Sequence, residues 1–147
     1  MARSFLLEIV TPEKHFYSGE VEIVIARTLW GEEGFLAGHI HACKLLGTGE
    51  LWFREAGAKD YKLAAVTGGF VNVRGDVLVF TDAAEWPTEI DLERAEKARL
   101  REQEWLEGHK GEKKTPELEA EIEIHKTAAR RAANRQKVAA GGGRQRH

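Results

Sequence analysis

Residues 66–80 read VTGGFVNVRGDVLVF, and this stretch decides the class of fold. Short apolar runs rich in valine are separated by Gly68-Gly69 and by the tripeptide Arg74-Gly75-Asp76. Paired glycines favour a tight bend, and a short polar connection between two apolar runs is typical of a β-hairpin. The pattern therefore predicts strands at 70–73 and 77–80, joined by a hairpin turn.

The same texture extends upstream towards the start of the chain. Residues 5–10, 21–26, 50–54 and 61–66 form further apolar runs, several of them rich in β-branched or aromatic residues. The GEEG sequence at 31–34 predicts a turn between two such runs. Strand-length runs at intervals of roughly ten residues, separated by turn residues, predict a sandwich or barrel. We expect this β domain to occupy residues 1–87.

A helical pattern replaces the strand pattern after Trp86-Pro87. Residues 88–140 are rich in alanine, glutamate, lysine and arginine, which are strong helix formers. A first helix is expected at about 90–107, with Thr88 and Asp91 forming a capping box at its start.

A second helix should follow a short glycine-containing connection, GHKG at 108–111. Thr115 is expected to cap this helix, with Pro116 at its first position, where the missing N–H costs nothing. The helix would run to about Ala140. Residues 88–140 therefore predict an antiparallel helical hairpin, and 141–147 a flexible basic tail.

The contact faces of this hairpin are poor in large side chains. Alanine supplies most of its apolar positions, at 95, 98, 128, 129, 132 and 133. Apolar burial stabilises by roughly 25 cal/mol per Å², so an alanine seam contributes much less than a leucine seam. We therefore expect a marginal hairpin that opens easily.

The charge of the chain is distributed unevenly along its 147 residues. Residues 1–125 carry 15 lysines and arginines against 24 acids, a net of −9, whereas 126–147 carry seven cations and no acid. The formal net charge is thus only −2. A basic end on an acidic body favours contact with an acidic partner. Nucleic acid is a poorer candidate, because no aromatic residue or recognition motif accompanies the cations.

Composition excludes an integral membrane protein with helical spans and a disulfide-bonded secreted mini-protein. Apolar residues make up 42% of the chain and charged residues 31%, and the mean hydropathy is −0.43. No run approaches the roughly 18 apolar residues typical of a transmembrane helix. The single cysteine, Cys43, excludes an internal disulfide framework and fits a reducing compartment.

One segment suggests a metal site as an alternative function. His39, His41 and Cys43 alternate, so on a strand they would share one face, and imidazole with thiolate suits zinc. This pattern would belong to a metal-dependent, cupin-like β-barrel enzyme. The expected fourth ligand is missing, and no nucleophile, acid–base or phosphate-loop motif is present. We therefore predict a protein without catalytic residues and without a metal.

Five short motifs in a fixed order carry a resemblance to a known family. They are TPE at 11–13, SGEVE at 18–22, GEEGFLAGH at 31–39, VTGGFVNV at 66–73 and IDLERA at 90–95. In this order, followed by a helical hairpin, they resemble the epsilon subunit of the F-type ATP synthase. The resemblance covers about residues 4–138.

The resemblance implies a β-sandwich of about ten strands followed by two helices. It also implies a non-catalytic rotor subunit of the central stalk, peripheral on the cytoplasmic face of the bacterial cell membrane. Its partners would be the gamma subunit, the c-ring, and the alpha and beta catalytic subunits, the last two through the basic helix. Glu32 and His39 would contact the c-ring. The hairpin would inhibit ATP hydrolysis when it extends along gamma.

ATP is the regulatory ligand that the resemblance implies for the folded hairpin. In some bacterial members the motif seen here at 90–95 binds the nucleotide. By resemblance, the nucleotide-binding residues here would be Glu85, Ile90, Asp91, Arg94, Ala95, Arg101, Arg131 and Arg135. Arginines gathered from two helices would repel one another without the triphosphate, so ATP should favour the closed hairpin.

Overall fold

The computed structural model describes residues 3–142. Nine strands are followed by a short 3-10 helix and two α-helices. The strands are β1 (Phe5–Val10), β2 (His15–Thr28), β3 (Gly31–Leu36), β4 (Ala42–Leu45), β5 (Gly49–Glu55), β6 (Lys62–Thr67), β7 (Phe70–Arg74), β8 (Asp76–Phe80) and β9 (Ala83–Glu85). The 3-10 helix is Pro87–Glu89, and the α-helices are α1 (Leu92–Gly108) and α2 (Pro116–Ala139).

The strands form a sandwich in the order β4-β7-β8-β1-β2-β5-β6-β9, with β3 added on β2. β1 and β8 run parallel, and the other pairs in the described chain are antiparallel. Alternating side chains fill the interior, of which the largest fully buried are Phe35, Phe53, Leu7, Ile9 and Leu51. The all-β domain followed by two helices confirms the expected fold class.

The hairpin that decides the fold forms as predicted. β7 and β8 pair from Phe70↔Phe80 to Arg74↔Asp76. Gly69 precedes β7 with φ +96°, and a Cβ there would lie 1.8 Å from the carbonyl oxygen of Phe80. Only glycine fits this approach of two backbones, so the glycine pair fixes where β7 begins.

The sequence prediction of a turn at 31–34 is wrong. These residues belong to β3, which pairs with β2 from Ile23↔Leu36 to Thr28↔Gly31, and the turn lies at Leu29 and Trp30. The fully buried side chain of Phe35 holds β3 on the sandwich core. Tertiary packing therefore overrides the local turn preference of the two glycines.

The first helix starts later than the sequence predicts, and its cap differs. Asp91 is the N-cap residue, and its carboxylate accepts a 3.0 Å hydrogen bond from the backbone N–H of Arg94. Thr88 lies inside the 3-10 helix, so the predicted pairing of Thr88 with Asp91 is wrong. The carboxylate of Glu89 instead accepts from the backbone N–H of Trp86 at 3.0 Å. The proline at 87 favours this extra turn and so delays the helix start.

The second helix begins where the sequence predicts. Thr115 is its N-cap residue and accepts a 3.2 Å hydrogen bond from the backbone N–H of Leu118, with Pro116 at the first position. The helix ends at Ala139, one residue before the predicted end. Of the predicted tail, Gly141 and Gly142 are described, and 143–147 lie outside the described residues. No described helix is both long and apolar enough to cross a bilayer.

The helical hairpin is folded down on one face of the sandwich. A second apolar cluster joins Ile25, Trp52, Leu63 and Ala65 of the sheet to three residues at the base of the hairpin, Ile90, Ala95 and Val138. Among the described residues, α1 buries only Ala95, and α2 buries only Ala132 and Val138. The apolar seat is therefore small, as the alanine-rich sequence predicts.

Candidate functional site at the base of the hairpin

One charged pair links α2 to the edge of the sandwich. Glu85 ends β9, and Arg135 lies in the last turns of α2. The guanidinium donates from Nε to Oε1 at 2.8 Å and from Nη2 to Oε2 at 3.0 Å. About a third of each side chain is exposed to solvent. This two-bond geometry is the strongest form of an arginine–carboxylate contact, and here it holds the hairpin down.

Neighbouring side chains of α2 add two weaker contacts. Asn134 donates from Nδ2 to the backbone carbonyl of Gly49 at 3.0 Å. Lys137 lies 3.6 Å from the carboxylate of Glu50, which also accepts from the indole N–H of Trp52 at 2.7 Å. Sequence reasoning missed both contacts, because nothing local in the sequence pairs 134–137 with the start of β5.

The predicted nucleotide-binding residues separate into three groups. Glu85 and Arg135 contact each other directly. Asp91 caps α1, while Ile90 and Ala95 lie in the apolar seat beneath the hairpin, Ala95 without any exposed surface.

The other three are arginines on the exposed surface of the hairpin. Arg94, Arg101 and Arg131 are solvent-exposed, and none of their guanidinium groups forms an ion pair with a described residue. Arg94 and Arg101 are seven residues apart on α1, which places them on one face of that helix. Arg131 lies one turn before Arg135 on α2. The structure thus has cations on both helices available for an anion.

An open groove of about 430 Å³ lies beside these residues. Its lining consists of Trp52, Tyr61, Lys62, Leu63, Trp86, Pro87, Thr88 and Gly141. None of the predicted nucleotide-binding residues lines it, although the segment 86–88 connects Glu85 to Ile90. Three of the eight lining residues are aromatic, and Lys62 is the one charged residue among them.

Lys62, which lines the groove, belongs to a hydrogen-bonded group with Glu55 and Tyr17. Tyr17 donates from its hydroxyl to Glu55 at 2.8 Å, and Lys62 lies 2.9 Å from the same carboxylate. Burial, together with the bond to Glu55, raises the pKa of Tyr17 far above its usual value. The hydrogen bond from Lys62, followed by that from Tyr17, lowers the pKa of Glu55. Glu55 is therefore an anion near neutral pH and ties β2, β5 and β6 together.

The predicted c-ring contacts lie at the β3 end of the sandwich. Glu32 is exposed on β3, and His39 follows the strand. The His39 ring packs edge-on against Phe35 at 5.0 Å, and its Nδ1–H donates to the carbonyl of Ile40 at 2.7 Å. Two large apolar side chains, Trp30 and Ile40, are each 79% exposed in these loops. Sequence reasoning missed them, although a tryptophan at a turn is a recognisable signal.

A row of exposed apolar side chains crosses the sheet face formed by β4, β7 and β8. Leu45 pairs with Phe70 and Phe70 with Phe80, and the two phenyl rings are 5.2 Å apart. All three side chains are exposed. This face lies away from the β5–β6 face that holds the hairpin. Adjacent exposed apolar residues of this kind make this face a candidate surface for a partner.

The structure does not support the alternative in which His39, His41 and Cys43 bind a metal. His39 and His41 lie in the loop before β4, and only Cys43 lies on a strand, so the three do not alternate along one strand face. Within residues 3–142, no group of three or more His, Cys, Asp or Glu side chains is placed to hold a metal ion. The alternative of a metal-dependent β-barrel enzyme loses its basis.

Comparisons with known proteins agree on one family. The domain family described as ATP synthase, Delta/Epsilon chain, beta-sandwich domain matches residues 4–87. The ATP synthase epsilon chain of Alkaliphilus metalliredigens is 42% identical over 108 residues, covering 73% of this chain and 79% of its own. That of Caldanaerobacter subterraneus is 38% identical over 141 residues, covering 95% and 96%.

A solved structure extends the likeness to three dimensions. A chain of the Euglena gracilis mitochondrial ATP synthase, in a structure of OSCP, F1 and c-ring, superposes with a TM-score of 0.69. It is 26% identical, and the alignment covers 88% of this chain and 81% of that one. The likeness therefore includes most of the described chain.

Proposed function

This chain belongs to the epsilon-chain family of ATP synthases, a non-catalytic part of the enzyme, and from that membership we propose that it is a central-stalk subunit. In this role it couples the gamma subunit to the c-ring and turns with the rotor. It also restrains ATP hydrolysis through its helical hairpin. Its place in the complex is peripheral, on the cytoplasmic face of the bacterial membrane, because it binds the membrane-embedded c-ring from outside.

Two exposed surfaces of the sandwich support the stalk role. We assign the apolar row of Leu45, Phe70 and Phe80 to the gamma subunit, since a stable partner must cover such a face. The loops that carry Glu32 and His39, with the exposed side chains of Trp30 and Ile40, are assigned to the c-ring. The two surfaces and the hairpin-bearing face are distinct, so all three contacts are compatible.

The observation that carries the regulatory role is the small seat of the hairpin. The apolar contacts come from Val138, Ile90 and a few alanine-sized side chains. The polar contacts are one arginine–glutamate pair of partly exposed groups and the weaker contacts of Asn134 and Lys137. Opening therefore costs little apolar burial, and a switch requires two states of similar free energy. When released, the basic end of α2 is suited to acidic segments of the alpha and beta subunits.

ATP is proposed as the ligand that favours the closed hairpin. Arg94, Arg101 and Arg131 have no ion pair among the described residues, and a triphosphate would bridge cations of both helices. A ligand at 100 times its dissociation constant stabilises the bound state by about 2.7 kcal/mol.

Removing the hairpin tests the regulatory role. We would compare ATP hydrolysis by complexes reassembled with the full chain and with a chain ending at Glu89, which retains the sandwich. The truncated chain should still assemble but give faster hydrolysis. Equal hydrolysis rates in two fully assembled complexes would refute regulation by the hairpin while leaving the stalk role intact.

A further inference from the structure

The far end of the hairpin contains an aromatic stack that the proposed function does not use. Trp105, near the end of α1, lies between two imidazole rings. The ring of His109 is 3.9 Å away with an interplanar angle of 22°, and that of His125 is 3.7 Å away at 17°. His109 follows α1 directly, whereas His125 belongs to α2. The stack therefore joins the two helices far from the sandwich.

Hydrogen bonds fix both imidazole rings in position. His125 bonds through Nδ1 to the carboxylate of Glu102 on α1, and both side chains are partly buried. His109 bonds through Nδ1 to the backbone carbonyl of Trp105 at 2.8 Å. A carboxylate and a carbonyl only accept hydrogen bonds, so each Nδ1 carries a hydrogen. In the neutral rings Nε2 is therefore the site left to take a proton.

We propose that this stack is a pH-sensitive latch that closes the two helices on each other as the pH falls. Protonation turns the His125–Glu102 bond into a contact between opposite charges. It also places a cation against the indole face. At position 109 the added charge sits at the C-terminus of α1, where the helix dipole favours it. All three effects strengthen the closed hairpin.

The other charges around the stack do not cancel these effects. On α1, Arg101 and Glu102 lie in the turn before Trp105, and the connection contributes Lys110, which lies 4.0 Å from Glu107. On α2, Glu121 lies one turn before His125 and Lys126 follows it. Residues 101–126 carry eight carboxylates against five lysines and arginines, and Glu102 is the group in direct contact. Histidine is the side chain whose charge changes across the near-neutral pH range, so the test compares the chain on either side of it.

The regulatory meaning of the latch rests on the proposed function, since it matters only if α2 leaves α1 when the hairpin opens. The latch itself is measurable without the ATP synthase complex. Hydrogen–deuterium exchange of the full chain, read by mass spectrometry, gives protection factors for peptides covering 117–127. A protection factor is the intrinsic exchange rate divided by the observed rate, so the pH dependence of the amide chemistry cancels and the factor reports local opening.

We expect protection of this segment to be about fivefold higher at pH 5.5 than at pH 8, while the sandwich strands change little. Replacing both histidines, H109Q and H125Q, should remove the dependence, because glutamine keeps a donor but cannot be protonated. The matched control is H15Q. His15 makes the same kind of bond with Glu8, at 3.1 Å, but on the sandwich, so its loss should leave the hairpin profile unchanged.

Protection independent of pH in the parent chain would overturn the latch, and so would a dependence that survives in the double variant. If that variant fails to fold, E102Q serves instead, since it removes the partner charge and should shrink the dependence. A latch that works together with unchanged hydrolysis after truncation would refute only the regulatory role. If hydrolysis rises after truncation but exchange of the parent chain shows no pH dependence, only the latch is refuted.

Discussion

Shortening Val138 to alanine should release the hairpin from the sandwich without weakening the sandwich. Val138 is fully buried, and its cluster includes Trp52 and Leu63 of the sheet. The change removes two methyl groups, worth about 0.8 kcal/mol each. The unfilled space adds a further cost at about 24 cal/mol per Å³. A total of about 2 kcal/mol raises the equilibrium constant for undocking by about 30-fold.

Hydrogen–deuterium exchange of the full chain measures this release directly. Amides in the second half of α2 should lose protection by about 30-fold, while those in β1 and β8 keep theirs, because the two cores are separate clusters. The matched control is Ile124→Ala on the same helix, where the side chain is 66% exposed and the effect should be small. Unchanged protection in α2, or an equal loss in the sandwich strands, would show that Val138 does not hold the hairpin on the sandwich.

Four further changes test other parts of the structure. Replacing Glu85 with Gln removes a partly exposed ion pair, so a double-mutant cycle with Arg135→Gln should give a coupling of about 1 kcal/mol in hairpin exchange. Because the pKa of Glu55 is lowered by folding, its stabilising contribution is present above the ordinary carboxyl pKa of 4.5 and is lost as the pH falls through the lower folded value; Glu55→Gln should flatten this acid limb in urea titrations. Gly69→Ala should lower the melting temperature of the sandwich strongly, because the residue has φ +96° and the added Cβ would lie 1.8 Å from a backbone oxygen. Gly57→Ala is its control, because the added Cβ meets no atom within 4 Å and only the cost of the positive φ remains. Arg94→Ala should weaken ATP binding in calorimetry of the isolated chain, and a parent chain that gives no heat would remove the ATP proposal.

Local sequence signals predicted the parts of the fold that depend on neighbouring residues. The two backbones before β7 approach so closely that only glycine fits there, and the glycine pair that meets this requirement can be recognised in the sequence. The Thr115 cap succeeded for the same reason, because cap, proline and helix lie within four residues. Alternating valines placed β7 and β8 correctly, since period two is the signature of a half-buried strand.

Long-range packing decided the features that the sequence did not reveal. β3 pairs with β2, and it forms because its Phe35 side chain enters the core, although the two glycines of the strand suggest a turn. The pairing of Glu85 with Arg135 joins residues 50 positions apart. The resemblance brought these two residues into one candidate set, but only the fold shows that they bond to each other. The stack on Trp105 likewise depends on the register between α1 and α2, which alanines specify poorly.

For the hairpin to inhibit hydrolysis, it must first leave the sandwich. Cysteines at Glu85 and Arg135, in a chain whose exposed Cys43 is replaced by serine, can be joined by a short bismaleimide. Complexes reassembled with the joined chain should hydrolyse ATP as fast as those with the truncated chain, whereas the unjoined variant stays inhibited. Equal inhibition in the joined and unjoined complexes would contradict the account.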